Sequence, residues 1–368
     1  MGNPTQLDLL VIGGGIGGCA MTWVALQRGL RVGLVDKENE STSSKVAAGL
    51  VTPITGARLA PSWRFASFFG DAIRLYEYAE SVSGIRFFHQ SPALRIFSSE
   101  AEAELFRSKW LSPSEIAVQL LASEELQGYK APWGGFLMTP AARLSTCEYL
   151  EATRLVASKE GFLARAEMQL DQELIPGPDG FSIERLGVHA RWVCLAQGVE
   201  AWSNKWYRSM VLHPARGDIL EVTSTRALRD EVAHRDGWIV PLGQEHYLIG
   251  ATYLRGCMGQ SEAQDTELAE KRSSREELLR RWQDFFDSED NSVEVVSHRR
   301  ATRPASFDRH PLIGPHPEHP NLVCLNGLGS KGALMAPKLA MDLLDYLSEG
   351  KPIDPRLRWD RRTNATMD

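Results

Sequence analysis

Five cysteines are spread over 368 residues, at Cys19, Cys147, Cys194, Cys257 and Cys324, and none forms a C-x-x-C pair. An odd, scattered set argues against a disulfide framework or a cysteine-rich zinc site and suits a reducing cytoplasm. Positive charge is not in excess: 41 Lys and Arg stand against 47 Asp and Glu, a formal net charge of −6. That balance argues against nucleic acid as a partner. The basic clusters, Arg299-Arg300 and Arg356 to Arg362, are short. No uninterrupted apolar stretch reaches membrane-spanning length. The apolar N-terminus lacks a basic leader region and is broken by glycines, so it does not read as a signal peptide. Internal repeats and low-complexity linkers are also missing, and the nine histidines show no triad or metal spacing. What remains, 43% hydrophobic and 24% charged residues, is ordinary for a globular enzyme. The length suits about two to three domains' worth of core, or two interleaved ones.

The strongest local signal is Leu9-Leu10-Val11-Ile12 running into Gly13-Gly14-Gly15-Ile16-Gly17-Gly18. This is G-x-G-x-x-G on Gly13, Gly15 and Gly18, placed after an apolar strand. A helix-compatible segment from Cys19 to Arg28 follows, with Gly29 as its stop, and a second apolar run from Arg31 to Val35 ends on Asp36. Strand, glycine turn, helix, strand and acid make the unit that binds a dinucleotide. Gly13 permits the tight turn, Gly15 lets backbone approach a pyrophosphate, and Gly18 lets helix pack on strand. Phosphates then face the free N–H groups and positive dipole end of the helix. Asp36 stands where a carboxylate accepts from a ribose hydroxyl.

Further along, Val46-Ala47-Ala48-Gly49-Leu50-Val51-Thr52-Pro53 reads as a loop held close to something flat. Helical periodicity covers Phe65 to Ser81, Phe87 to Phe97 is strand-like, and Glu100 to Trp110 and Ser114 to Glu125 read as charged helices. Pro140 opens a helix to about Lys159, and Phe162 to Leu170 reads as a strand. Pro176-Gly177-Pro178-Asp179-Gly180 is a hairpin turn. Arg191 to Ala196 is a buried strand, Gly217 to Tyr253 holds several antiparallel strands, and Glu262 to Phe286 is a long charged helix. Val293 to Arg303 and Asn321 to Leu325 are strands, and the last helix ends near Leu347. The Gly327 to Gly332 loop thus joins a strand to a helix, so glycine loops from both chain ends can meet on one ligand. That favours a clamped FAD over a diffusing NAD, although an NAD-dependent dehydrogenase is a third reading.

An ordered set of motifs resembles the D-amino-acid oxidase superfamily of FAD-dependent oxidoreductases, most closely its glycine oxidase and sarcosine oxidase branch. The set runs Ser43 to Leu50, Leu195-Ala196-Gln197-Gly198 with Trp202-Ser203, Pro214 to Leu220, Trp238 to Pro241, and Ile249 to Tyr253. It closes with Arg303-Pro304, Pro311 to Pro315 and Gly327 to Gly332, so the resemblance covers nearly the whole chain. It implies an α/β fold: a GR2-type FAD-binding Rossmann-like domain from residues 1–88, 140–214 and 299–368, and an antiparallel-sheet substrate domain from 89–139 and 215–298.

The resemblance places FAD on Gly13, Gly15, Ile16, Gly17, Gly18, Asp36, Lys37, Ser43, Ser44, Ala48, Gly49, Leu50, Met168, Ala196, Gly198, Gly327, Leu328, Gly329, Ser330, Lys331 and Gly332. Ala48 to Leu50 pass under the isoalloxazine, and the Gly327 to Gly332 loop lies beside its pyrimidine ring. There the last helix's N-terminus stabilises negative charge developing on reduction. Ala301 stands at the flavin-linking cysteine of sarcosine oxidases, and Glu38 to Pro53 contains no histidine, so FAD is expected to be noncovalent. Arg303 matches the position that holds a substrate carboxylate bidentately; its alternative is an ion pair within the strand. Trp238 and Tyr253 either line the substrate pocket or fill core. Lys331 either adds charge beside the flavin or substrate, or is a solvated loop lysine. The chain departs from the pattern at Asp36, Gln197, Asp218, Leu254 and Ser330-Lys331.

The implied reaction oxidises a C–N bond of an amine or amino acid to an imine, with oxygen as acceptor and peroxide as product. The alternatives are a dehydrogenase with another acceptor and a noncatalytic flavin-binding subunit.

Overall fold

The computed structural model describes residues 4–110, 116–226, 228–255, 264–287 and 293–361. The cleft is built on a parallel core in the order Phe162–Arg165, Val32–Asp36, Thr5–Ile12, Val188–Leu195, Leu322–Asn326. These strands are near-continuous apolar runs because both faces are covered. One face packs on the helices Ile16–Gln27, Phe65–Ser83, Thr146–Glu160 and Gly332–Glu349 through Trp23, Tyr76, Tyr149 and Leu339, all fully buried. The other is closed by Leu170, Phe181, Trp206 and Tyr207. The outer edge of Val188–Leu195 is shared end to end. The hairpin Ile175–Gly177 and Gly180–Ile183 pairs its start, and Leu322–Asn326 pairs its end.

A second, nine-stranded sheet runs from Leu254–Arg255 through Ala215–Thr223, His246–Gly250, Trp238–Gly243, Val232–His234, Ala93–Ile96 and Gly135–Thr139 to Ala117–Leu121. Glu294–Arg303 pairs with Ala215–Thr223 from the other side. Alternation puts successive residues on opposite faces. Leu220 and Val222 face the helix Gln264–Asp284 with Trp282 and Leu278, whereas Ile219, Val240 and Ala301 pack on Val46 and Ala48 of the nucleotide half.

Four expectations differ from the structure; in one, the strand expected over Phe162 to Leu170 stops at Arg165, and Leu170 opens a short helix to Glu173. The described part of the Ser114 to Glu125 segment is a strand, Ala117–Leu121, then a 3₁₀ turn, because pairing with Gly135–Thr139 overrides local helix preference. The helix expected from Pro140 starts at Thr146. Ala142–Leu144 is instead the middle strand of a small sheet between Leu50–Val51 and Phe88–Gln90. Phe87 to Phe97 is two strands in two sheets, Phe88–Gln90 and Ala93–Ile96, with Pro92, which cannot donate to a ladder, between them.

The small sheet fixes the segment Ala48 to Leu50. Gly49 has φ +70, its carbonyl accepts from Leu144 N–H at 2.9 Å, and an added Cβ would stand 1.8 Å from the Leu144 carbonyl oxygen. Gly84 has nearly the same φ, +73, ends the helix Phe65–Ser83 and has open space around it. Gly84→Ala is therefore expected to cost about 1 kcal/mol, and Gly49→Ala about 3 kcal/mol or more, since clash adds to strain. Urea unfolding of the two variants checks the difference; equal losses would contradict it.

Candidate active site

A cavity of about 850 Å3 opens at the carboxyl ends of the parallel strands. Gly13, Gly15, Asp36, Lys37, Ser43, Ser44, Met168, Ala196 and Gly198 all line it, so residues from four separate stretches of chain meet there. The glycine turn is as tight as its sequence predicts: a Cβ at Gly18 would sit 1.8 Å from the Gly13 carbonyl oxygen. Gly15, the N-cap residue of Ile16–Gln27, offers no side-chain cap, and the first turn contains no acid. Ser44 supplies the acceptor instead, its Oγ receiving Ile16 N–H at 3.0 Å. Gly17 packs toward Leu325 behind the turn.

Asp36 is mostly buried, and its Oδ2 accepts from Arg154 Nη2 at 2.7 Å. Lys37 bridges the cleft wall to Glu200 at 2.8 Å and Glu167 at 3.4 Å. Asn326 Nδ2 donates to the Gly198 carbonyl at 2.8 Å, tying the second glycine loop to the turn after Val188–Leu195. Gly-rich backbone, two serine hydroxyls and a carboxylate at one helix N-terminus are the donor and acceptor set that a pyrophosphate and ribose require. The chain's residues thus fit the adenosine diphosphate half of FAD.

The remaining predicted residues do not line this cavity. Ala48, Leu50, Trp238 and Ala251 share one apolar cluster with Ile219 and Ala301. The Trp238 ring lies on Gly250, where an added Cβ would meet it at 2.1 Å. Arg303, Tyr253 and the Gly327 to Gly332 loop form another group, joined by Gly329 N–H donating to the Pro304 carbonyl at 3.0 Å. Arg303 is half-buried, and its guanidinium lies over Gly217. Nη1 stands 3.4 Å from the Thr252 carbonyl, and the Tyr253 ring is 5.8 Å from the guanidinium carbon. No carboxylate pairs with it among the described residues. Burial lowers its pKa, against the opposing pull of Tyr253 and Asp218. Tyr253 is 54% exposed, so it is not core. Lys331, the N-cap residue of Gly332–Glu349, donates to Ser62 Oγ at 3.2 Å; burial, then the nearby Arg309 guanidinium, lowers its pKa.

Sequence reasoning missed Arg154, Ser62 and a buried cluster around Asp218. Asp218 Oδ1 lies 2.8 Å from both His298 Nε2 and Arg300 Nε, and Oδ2 accepts from Thr252 Oγ1 at 3.1 Å. Burial raises the Asp218 pKa, but Arg300, His298 and Thr252 outweigh it and hold the carboxyl below its usual value. Asp218 and Arg300 were each noted in the sequence, but the register that pairs them across the ladder is set only in the fold.

This fold and cleft define an α/β protein suited to binding a dinucleotide. The family model described as FAD dependent oxidoreductase (DAO) matches residues 8–346, and the chain belongs to that family. Curated relatives include the tRNA 5-methylaminomethyl-2-thiouridine biosynthesis bifunctional protein MnmC of Aeromonas hydrophila, 25% identical, and that of Vibrio vulnificus, 24% identical. The matches cover 94% and 92% of this chain but only 56% of each relative, so the chain spans about half their length. Among solved structures, glycine oxidase from Geobacillus kaustophilus superposes with a TM-score of 0.75 at 21% identity, covering 98% of this chain and 100% of the other. Glycine oxidase from Bacillus cereus gives 0.76 at 20% identity, covering 94% and 96%. Iminodiacetate oxidase from Chelativorans sp. gives 0.70 at 17%, covering 94% and 96%. The protein is thus an FAD-dependent oxidoreductase with the fold of these oxidases. Among the described residues, no helix is long and apolar enough to cross a membrane.

Asp218→Ala leaves Arg300 and His298 buried without their acceptor and is expected to cost about 3–5 kcal/mol at pH 7 in urea unfolding. Because the folded pKa is lowered, this stabilisation is present above the ordinary value of 3.8 and fades as pH falls through the folded one. The gap between wild type and variant should therefore shrink below about pH 3.8; a constant gap would contradict it.

Proposed function

We propose that this protein oxidises the C–N bond of an amine or amino acid that carries a carboxylate, with noncovalent FAD and with oxygen as electron acceptor. The observation that carries this reading is Arg303: a half-buried guanidinium without a carboxylate partner among the described residues, beside the second glycine loop. Desolvating a guanidinium without a paired anion is costly, and an incoming carboxylate supplies the missing charge in a fork geometry. Tyr253 covers one side of that guanidinium, and Trp238 supports the Ala48 to Leu50 segment. Bound FAD would supply the electron sink for the bond being oxidised. The chain's part is to hold the carboxylate with Arg303, to orient the carbon to be oxidised, and to place Lys331 and the last helix's N-terminus where negative charge grows. Ala301, in place of a linking cysteine, supports noncovalent attachment. In this reading residues 1–88, 140–214 and 299–368 serve as the cofactor domain and 89–139 and 215–298 as the substrate domain. The scattered cysteines favour a reducing cytoplasm.

The test is steady-state kinetics on a panel of glycine, sarcosine, proline and D-amino acids, with peroxide as readout. For whichever is turned over, Arg303→Ala should raise KM about 100-fold, and Arg303→Lys should recover only part. An unchanged KM would contradict the assignment. Lys331 adds a pH signature. Its pKa is lowered from 10.5, so KM for a carboxylate substrate should rise at a pH below that value as the ammonium is lost. Lys331→Arg should move the rise to higher pH.

A second reading rests on the two curated relatives, whose names place them in tRNA thiouridine biosynthesis. It makes the substrate an amine carried on a tRNA base. Tyr253, 54% exposed and 5.8 Å from the Arg303 guanidinium carbon, favours it as a stacking surface, while the net charge of −6 weighs against it. Turnover of modified tRNA with no turnover of free amino acids would select it.

A further inference from the structure

The acid expected to meet the adenosine ribose is Asp36, at the end of Val32–Asp36. Its carboxylate is folded back on the glycine turn: a Cβ at Gly14 would stand 2.5 Å from Asp36 Oδ2. A lone carboxylate there, mostly desolvated and about to share the cleft with a pyrophosphate, would be electrostatically costly. The chain answers with a cation from a distant helix. Arg154 Nη2 donates to Asp36 Oδ2 at 2.7 Å, with the two side chains only 18% and 14% exposed.

The geometry points to Arg154 as the positioning residue that makes Asp36 a ribose acceptor; this rests on the FAD reading of the cleft. Three observations carry it. Arg154 occupies Oδ2 and leaves Oδ1 without a hydrogen bond among the described residues, so one oxygen is anchored and the other is available. The anchor is rigid. Thr153, the neighbouring residue, is fully buried, accepts from Trp23 Nε1 at 2.7 Å and donates to the Tyr149 carbonyl at 2.7 Å, which pins Thr146–Glu160 to Ile16–Gln27. Asp36, not Arg154, lines the cavity, so the guanidinium acts through the carboxylate. The remaining acid nearby, Glu38, stands 3.8 Å from Arg154 Nε without a hydrogen bond and also meets Arg165 at 3.5 Å. Arg154 is therefore committed to Asp36.

The test compares FAD with its analogue carrying 2′-deoxyadenosine. Holoenzyme loaded with each is diluted, and flavin release is followed by fluorescence. Wild type should release the analogue about tenfold faster than FAD, the value of one charge-assisted hydrogen bond. Arg154→Met should bring that ratio to within twofold by speeding FAD release, with the analogue's rate little altered, and Arg154→Lys should restore part of it. An unchanged ratio in folded Arg154→Met, or no preference in wild type, overturns the inference. Were Arg154→Met unable to fold, Asp36→Asn with and without Arg154→Lys carries the test. The ratio should already be near one in Asp36→Asn, and a further change on adding Arg154→Lys would show that Arg154 does not act through Asp36. A wild-type chain that binds neither flavin would instead strike the FAD reading itself.

Discussion

Two backbone contacts leave no room for a side chain, and the cleft depends on both. At Gly18 the helix Ile16–Gln27 comes so close to the turn that a Cβ would meet the Gly13 carbonyl oxygen, and at Gly49 a Cβ would meet the Leu144 carbonyl oxygen. The first fixes where helix N–H groups point, and hence where phosphates can be held. The second holds Ala48 to Leu50 against the small sheet, with the second sheet's Ile219 and Ala301 packed beside them. One close approach sets the nucleotide end and the other sets how the two sheets meet.

Charge is then allotted by strand alternation. Glu294–Arg303 turns Arg300 to one face, where Asp218, His298 and Glu270 surround it, and Arg303 to the other, where no described carboxylate does. The same strand thus carries one guanidinium paired with carboxylates and one with no described carboxylate beside it. The paired group contributes to stability, and the unpaired one is the proposed seat of a substrate carboxylate. Asp36 follows the opposite plan: its carboxylate is already half engaged, by Arg154.

The parallel strands, the glycine turn and the hairpin at Pro176 to Gly180 were legible because each is a local signal: an apolar run, a glycine pattern, a turn sequence. Gly13 and Asp36 were legible from the local strand, turn, helix and strand pattern, whereas Ser44, Met168 and Gly198 could be predicted for the same cleft only because an ordered set of motifs implied a shared fold. Ala117–Leu121 was misread because its charged neighbours suit a helix, while its pairing partner lies in Gly135–Thr139. Arg154 and Ser62 were invisible for a different reason. Their partners, Asp36 and Lys331, stand 118 and 269 residues away in the chain, and neither pair has a spacing or motif that marks it.

In the proposed chemistry, FAD held by this chain takes electrons from an amine bearing a carboxylate. The most direct measurement is the visible absorption spectrum of the purified protein under anaerobic conditions, before and after adding glycine, sarcosine, proline and D-amino acids. An oxidised flavin spectrum that one of these bleaches and that air restores is the expected result. Flavin left oxidised by every carboxylate-bearing amine would contradict the proposed chemistry, and a colourless protein that takes up no FAD would contradict the cofactor itself.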